Sequence, residues 1–283
     1  AAIARMQSVL GKSKGEEEAL LRSRIQYRMA WSYFEMKNYT KAAEVYEAFG
    51  KSLPANPPAD LKELTGTAAY QAGESRMAVA EASADKPSKE GEYKAALVNY
   101  QKSISTKTGG DVVQSQSRLQ LGKAQGLLQD WVASQKTYED FIQAYPEHRL
   151  RRDAWYGLGW AQKGQQAHAG AIKSFANVIK GSKKDELGAR TVYHLGDCHY
   201  QIAKASKNDD EIQASCTESI IIFADLGANY PEELGSPKGV WQARALLGTG
   251  MALELAGKED DARKQYQNLV QKYPERIYLP SQQ

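Results

Sequence analysis

The sequence predicts an all-α solenoid of about six helix hairpins, and two observations predict it. The first is a phrase repeated along the chain: a small residue, an alanine or serine 12 residues on, an aromatic 16 on and often a proline 24 on. Ala30, Ala42, Tyr46, Pro54 read this way, as do Gly122, Ser134, Tyr138, Pro146 and Gly250, Ala262, Tyr266, Pro274. Gly159, Ala171, Phe175 keep the count, with Lys183 in the proline's place. A period of this size marks stacked supersecondary units that cannot bury their apolar faces alone. The second observation is size. At 283 residues the chain exceeds what one globular core usually organises, whereas a solenoid grows by nearest-neighbour contacts.

Each position has a mechanical role. The small residue on the first helix (Ala30, Gly122, Gly159, Gly196, Gly250) lets the second helix approach. Glycine inside a helix costs about 1 kcal/mol against alanine, so its return at one phase argues for close packing. The Ala or Ser on the second helix completes that approach. The aromatic one turn later (Tyr46, Tyr100, Tyr138, Phe175, Phe223, Tyr266) fills the seam with the next repeat. Pro54, Pro146, Pro231 and Pro274 end their units because proline cannot continue a helix.

The elements follow in order. Residues 1–22 read as an N-terminal helix or cap, helical from Ile3 to Leu10, then broken by Gly-Lys-Ser-Lys-Gly before a Glu-rich start at Glu16. The solenoid spans 23–274, with repeats near 23–56, 59–108, 112–147, 152–184, 187–232 and 240–275. Repeats two and five are overlong: the counts from Gly73 to Ala96 and from Gly196 to Ser219 are 23 instead of 12. Their expected tips are the polar runs Ala84–Glu90 and Lys207–Asp210. Residues 276–283 form a tail whose Ile277-Tyr278-Leu279-Pro280 is expected to cover the end of the stack.

A longer period also emerges. Repeats one and four share Tyr27/Tyr156 and Trp31/Trp160; repeats two and five share Tyr70/Tyr193, the acids Glu74/Asp197 and the insertion; repeats three and six share Leu119/Leu247. This pattern is that of a duplicated block of three hairpins.

The phrase resembles the tetratricopeptide repeat family from about Arg24 to Pro274, best at Trp155, Leu158, Gly159, Ala171, Phe175. The spacings of 37 from Gly122 to Gly159 to Gly196 are slightly longer than that family's usual unit. The endings Tyr145-Pro146-Glu147, Tyr230-Pro231-Glu232 and Tyr273-Pro274-Glu275 look like a variety common in bacterial cell-envelope proteins. The resemblance implies a right-handed superhelix with first helices lining a concave groove where peptides bind. The residues at groove-facing phases are Tyr27, Trp31, Phe34, Tyr70, Lys123, Tyr156, Trp160, Arg190, Tyr193, Asp197, Tyr200 and Arg244. Tyr, Trp and Arg are the residue types enriched at binding hot spots. The competing reading is that these aromatics pack between adjacent first helices. The lysine and asparagine clamp with which some chaperone-binding members hold a C-terminal carboxylate is not reproduced.

Function is narrowed mainly by exclusion. A net charge of +3, from 37 basic and 34 acidic residues, argues against nucleic acid or an anionic membrane as the main partner. No apolar run reaches the length of a membrane-spanning helix. The chain opens Ala1-Ala2-Ile3, as a trimmed or mature form would, with no signal peptide or N-terminal cysteine. Nucleophile elbow, phosphate loop and metalloprotease motifs are absent, so no enzyme activity and no cofactor are expected. Cys198 and Cys216 lie equidistant from residue 207 and are either a candidate disulfide or two buried thiols. His194, Asp197, Cys198 and His199 are the densest group of potential ligands, but their spacing fits no zinc signature, and no metal site is assigned. The expectation is a non-enzymatic scaffold for a protein or peptide partner, in the periplasm or cell envelope rather than the cytoplasm. Two alternatives stay open: a self-assembly module working through long hairpins or end-to-end stacking as a homo-oligomer, and an accessory protein of cell-wall or polysaccharide machinery.

Overall fold

The structure is a computed structural model that describes residues 2–10, 16–54, 56–181 and 184–276. The break at 11–15, Lys183 and the tail segment 277–283 lie outside the described residues. Among the described residues there are thirteen α-helices and no strand. A first helix, α1 (Ala2–Leu10), packs on α2. Six hairpins follow: α2 (Glu16–Glu35) with α3 (Tyr39–Ser52), α4 (Ala59–Ala82) with α5 (Lys86–Thr106), α6 (Gly110–Leu127) with α7 (Trp131–Ala144), α8 (Arg151–Gly164) with α9 (His168–Ile179), α10 (Glu186–Ala205) with α11 (Asp209–Asn229), and α12 (Val240–Leu255) with α13 (Glu259–Lys272). The first hairpin begins at Glu16, ahead of the boundary near residue 23 that the sequence suggests.

The chain divides into two compact units, residues 1–150 and 151–283, of three hairpins each. Within each unit every helix packs on its neighbours in sequence, and first helices also touch first helices: α2 on α4, α4 on α6, α8 on α10, α10 on α12. The first helices of a unit therefore share one face, called the inner face below.

The repeated phrase works by direct contact. A Cβ added at Gly122 would sit 2.8 Å from the Tyr138 ring, at Gly159 2.6 Å from Phe175, and at Gly196 2.8 Å from Phe223. Each glycine thus receives the aromatic of its own hairpin. The ring also reaches forward: Phe223 lies against Gly248 of the next hairpin as well. Where the second-helix position is serine, it adds a hydrogen bond. Ser134 Oγ donates to the Gly122 carbonyl (2.8 Å) and Ser219 Oγ to the Gly196 carbonyl (2.9 Å).

Two kinds of turn close the hairpins. In hairpins one, three, four and six a left-handed residue follows the first helix: Lys37 (φ 59), Gln129 (φ 61), Gln166 (φ 62) and Gly257 (φ 74). The next N–H then reaches back to the carbonyl five residues before it, from Asn38 to Tyr33, Asp130 to Gln125, Ala167 to Gln162 and Lys258 to Leu253, each at 2.9 Å. This is the Schellman arrangement that satisfies orphan carbonyls. Hairpins two and five instead leave the helix in extended backbone at Ser83 (ψ 141) and Ser206 (ψ 152). Two residues later Asp85 and Asn208 cap the returning helix, accepting from the N–H of Ser88 (2.8 Å) and Glu211 (3.0 Å). The tip of hairpin two is consequently shorter than the polar run Ala84–Glu90: residues 86–90 already belong to α5, with Pro87 in the first turn, where its missing N–H costs nothing.

A part-buried polar network ties the first unit together. The Arg76 guanidinium makes two bonds to Glu47 (2.8 and 2.9 Å) and one to Glu92 (3.2 Å), and Asn99 Nδ2 donates to Glu47 (2.9 Å). Burial raises the Glu47 carboxyl, but Arg76 and Asn99 outweigh it and hold the group below its ordinary range.

Candidate functional site

The inner-face tyrosines follow one rule. Three residues before the small residue, each ring meets the aromatic of its own hairpin: Tyr27 on Tyr46 (5.7 Å between centroids), Tyr70 on Tyr100 (6.2 Å), Tyr156 on Phe175 (5.9 Å) and Tyr193 on Phe223 (5.9 Å). All four tyrosines are half-buried, so part of each ring serves the seam and only the remainder faces outward. Phe34 is likewise committed, edge-on to Tyr39 across its turn at 5.4 Å. Trp31 differs: it is 54% exposed. Trp160 and Tyr200 are half-buried.

In the first unit the inner face is organised around Glu74. Burial raises its carboxyl, and it accepts from the Tyr100 hydroxyl (2.6 Å) and Gln120 Nε2 (3.4 Å), within reach of Tyr70. Lys123 is exposed and pairs at 3.7 Å with Glu81.

The second unit gathers more charge. Lys163 on α8 bridges to Asp197 on α10 (2.7 Å) and approaches His194 Nδ1 (3.3 Å). His194 stacks on Phe175 (5.9 Å, 20° between planes) with Tyr156 and Tyr193 beside it. Burial first, then Lys163, Arg244 and Arg190 push its imidazole down to about 3, against the opposing pull of Asp197. It is therefore neutral at physiological pH. Arg190 pairs with Glu186 (2.9 Å) and reaches the Tyr156 hydroxyl. Arg244 lies over the rings of Tyr193 (5.3 Å) and Trp241 (5.0 Å), positions favourable for a cation on an aromatic face. Sequence reasoning missed His194 and Trp241 as members of this cluster. Trp241 lies nine residues before Gly250, outside the phases read as groove-facing; His194, two before Gly196, was legible only as a potential metal ligand.

Cys198 and Cys216 are separate buried thiols, not a disulfide. Their equal distance in sequence from the tip does not bring them into one contact set. Cys198 packs with Ala171, Phe175 and Leu195 in the seam toward α9, while Cys216 on α11 is close enough to Tyr200 and Lys258 to interact with them electrostatically. Among the described residues no three His, Cys, Asp or Glu side chains converge as metal ligands, and no helix is long and apolar enough to cross a membrane. An open cleft of about 470 Å³ beside the α10–α11 tip is lined by Gln166, His168, Ile202, Ser206 and Glu211 among others, and by none of the predicted groove residues.

Comparison with known proteins agrees with this architecture. A tetratricopeptide repeat model matches residues 25–55, 116–148, 153–180 and 244–276, the four hairpins with left-handed turns. The two long hairpins with serine turns fall outside the matched stretches. No curated protein matches the chain. Among solved structures, the chain is similar to the C-terminal part of a TPR repeat-containing protein from Cytophaga hutchinsonii (14% identity over 96% of this chain and 89% of that one, TM-score 0.59). It is also similar to BtubC (BKLC) from P. vanneervenii (11% identity, 87% and 92% covered, TM-score 0.50). A third similarity is to MamA protein (18% identity, 75% and 97% covered, TM-score 0.47). At these identities the likeness concerns the fold alone. Tetratricopeptide repeat proteins generally mediate protein–protein interactions, and the fold is typically a non-catalytic scaffold.

Proposed function

We propose that this chain is a non-enzymatic scaffold that holds a segment of a partner protein along the inner faces of its first helices. The observation that carries the reading is Trp31: a large aromatic, 54% exposed, one helical turn after Tyr27, a seam tyrosine that is already half-buried. An exposed tryptophan is a residue type of contact sites rather than of a solvated face. Charge balance supports a protein partner over nucleic acid, and the tyrosine-proline-glutamate endings support a cell-envelope setting.

The test is photo-crosslinking in the source cells with p-benzoylphenylalanine placed at Trp31, at Trp160 and, as an outer-face control, at Val132, which is 70% exposed on a second helix. The scaffold reading expects one foreign protein crosslinked from the inner positions and not from Val132. A crosslink to a second copy of the chain would replace it with the self-assembly reading through hairpins or stacked ends. A crosslink to polysaccharide would select the cell-wall accessory reading. Equal crosslinking from all three positions would remove the inner face as the working surface.

A further inference from the structure

The second unit carries a cationic cluster whose charges are unevenly used. Lys163 is paired with Asp197 at 2.7 Å, and both groups are largely shielded from solvent. Arg190 is paired with Glu186 at 2.9 Å, but on an exposed i,i+4 contact that is worth little. Glu254, another inner-face acid, already accepts from the Tyr266 hydroxyl at 2.8 Å. Arg244 makes no salt bridge among the described residues; its guanidinium rests on the faces of Tyr193 and Trp241. Both arginines act on the Tyr156 hydroxyl, which places them on the same patch, and Asp197 bears on Tyr193 and His194. His194, being neutral, adds no charge. A planar guanidinium preoriented on two rings has its fork of N–H donors available for a bidentate partner.

We propose that the inner face of the second unit receives an acidic peptide segment of the partner, one of its carboxylate side chains held by Arg244 with Arg190 beside it, and its neighbouring methylenes lying on Tyr156 and Tyr193. Charge complementarity selects this occupant: the acids of the face are already taken by Lys163, Arg190 and the Tyr266 hydroxyl, so a basic segment would meet Arg244 with no acid left open to it, and a neutral one would leave the Arg244 fork unsatisfied. The inference rests on the scaffold reading above and gives the class of segment that this unit takes.

The experiment is fluorescence anisotropy of fluorescein-labelled peptides of alternating Glu and Ala, Lys and Ala, or Ser and Ala, titrated with the full chain at low and at moderate salt. The Glu-Ala peptide is expected to bind best, with an affinity that falls as salt screens the arginines. Arg190→Gln with Arg244→Gln should weaken it at least about tenfold, the loss of charge-assisted hydrogen bonds. Lys136→Gln with Lys264→Gln, which removes two exposed outer-face charges, should leave it unchanged. Should the double glutamine variant fail to fold by circular dichroism, Arg244→Lys keeps the charge and loses the fork, and should still weaken binding. Arg190→Glu with Arg244→Glu should transfer the preference to the Lys-Ala peptide. No preference among the three peptides, or equal loss in the outer-face variant, overturns the inference. Crosslinking from Trp31 and Trp160 reads the scaffold itself: a partner still captured there by the arginine variants, with no peptide preference, would leave that reading standing and this one refuted.

Discussion

A single methyl group tests the seam inside a hairpin. At Gly159 an added Cβ would lie 2.6 Å from the Phe175 ring, which cannot swing aside, whereas at Gly91 in α5 nothing lies within 4 Å. The same substitution should therefore change sign with position. Gly159→Ala is expected to destabilise by about 1–3 kcal/mol through overpacking, and Gly91→Ala to stabilise by about 0.5–1 kcal/mol through helix propensity and a less flexible unfolded chain. Urea midpoints of the two variants check both. His194 offers a test by pH. Its folded value, about 3, lies below the ordinary value of 6.5, so the unfolded chain binds the proton first. Stability from this group is full above about 6.5 and is lost as pH falls from there toward 3, by at most about 1.4 kcal/mol per pH unit. His168 and His199 are also lowered by burial and act in the same sense. His194→Gln should thus lose less stability than the parent between pH 7 and pH 5, a window above the ordinary carboxylate range; parallel losses would show that the imidazole titrates normally in the fold.

At the scale of elements, turn geometry carries its own prediction. Lys37, Gln129 and Gln166 stand in left-handed backbone where the sixth hairpin has Gly257. Side chains at such positions are strained, so Gln166→Gly is expected to stabilise by about 0.5–1 kcal/mol, read as a higher urea midpoint. Gln166→Val should lower it. Hairpins were legible in the sequence because glycine and aromatic meet at a fixed separation on adjacent helices, and that contact is what the structure displays at Gly122, Gly159 and Gly196. The arginine–aromatic cluster was only half legible. Arg190, Arg244, Tyr156 and Tyr193 could be placed by phase, but Trp241 enters through packing of α12 on α10, and His194 through packing of α10 on α8 and α9, which no local count reveals. The Glu47, Arg76, Glu92 and Asn99 network was not legible at all, because its members lie on three helices and up to 52 residues apart. The cysteines show the opposite failure: symmetry about a tip gives height along a helix and says nothing of the direction in which a side chain points.

The molecule as a whole reads as one plan used twice. Each unit has a short, a long and a short hairpin, with left-handed turns in the outer two and a serine turn in the middle. The third and sixth hairpins both open on a left-handed glycine, Gly109 (φ 84) and Gly239 (φ 77). Each unit also has its own buried clusters, around Tyr46, Phe49 and Tyr100 in the first and around Phe175, Phe223 and Trp241 in the second. Fragments 1–150 and 151–283 are therefore each expected to be helical and to unfold cooperatively in urea. A fragment that melts without a sigmoidal transition would show that its hairpins do not suffice by themselves. The placement of the thiols then gives the chain a built-in clock. Cys198 and Cys216 are its two cysteines, both buried and both in the fifth hairpin. Burial pushes the Cys198 thiol up to about 12 and raises that of Cys216, so the reactive thiolate is scarce until that hairpin opens. The rate at which a maleimide or disulfide reagent modifies the protein would time the opening of the second unit alone, while the first unit, without a cysteine, stays silent to the same reagent.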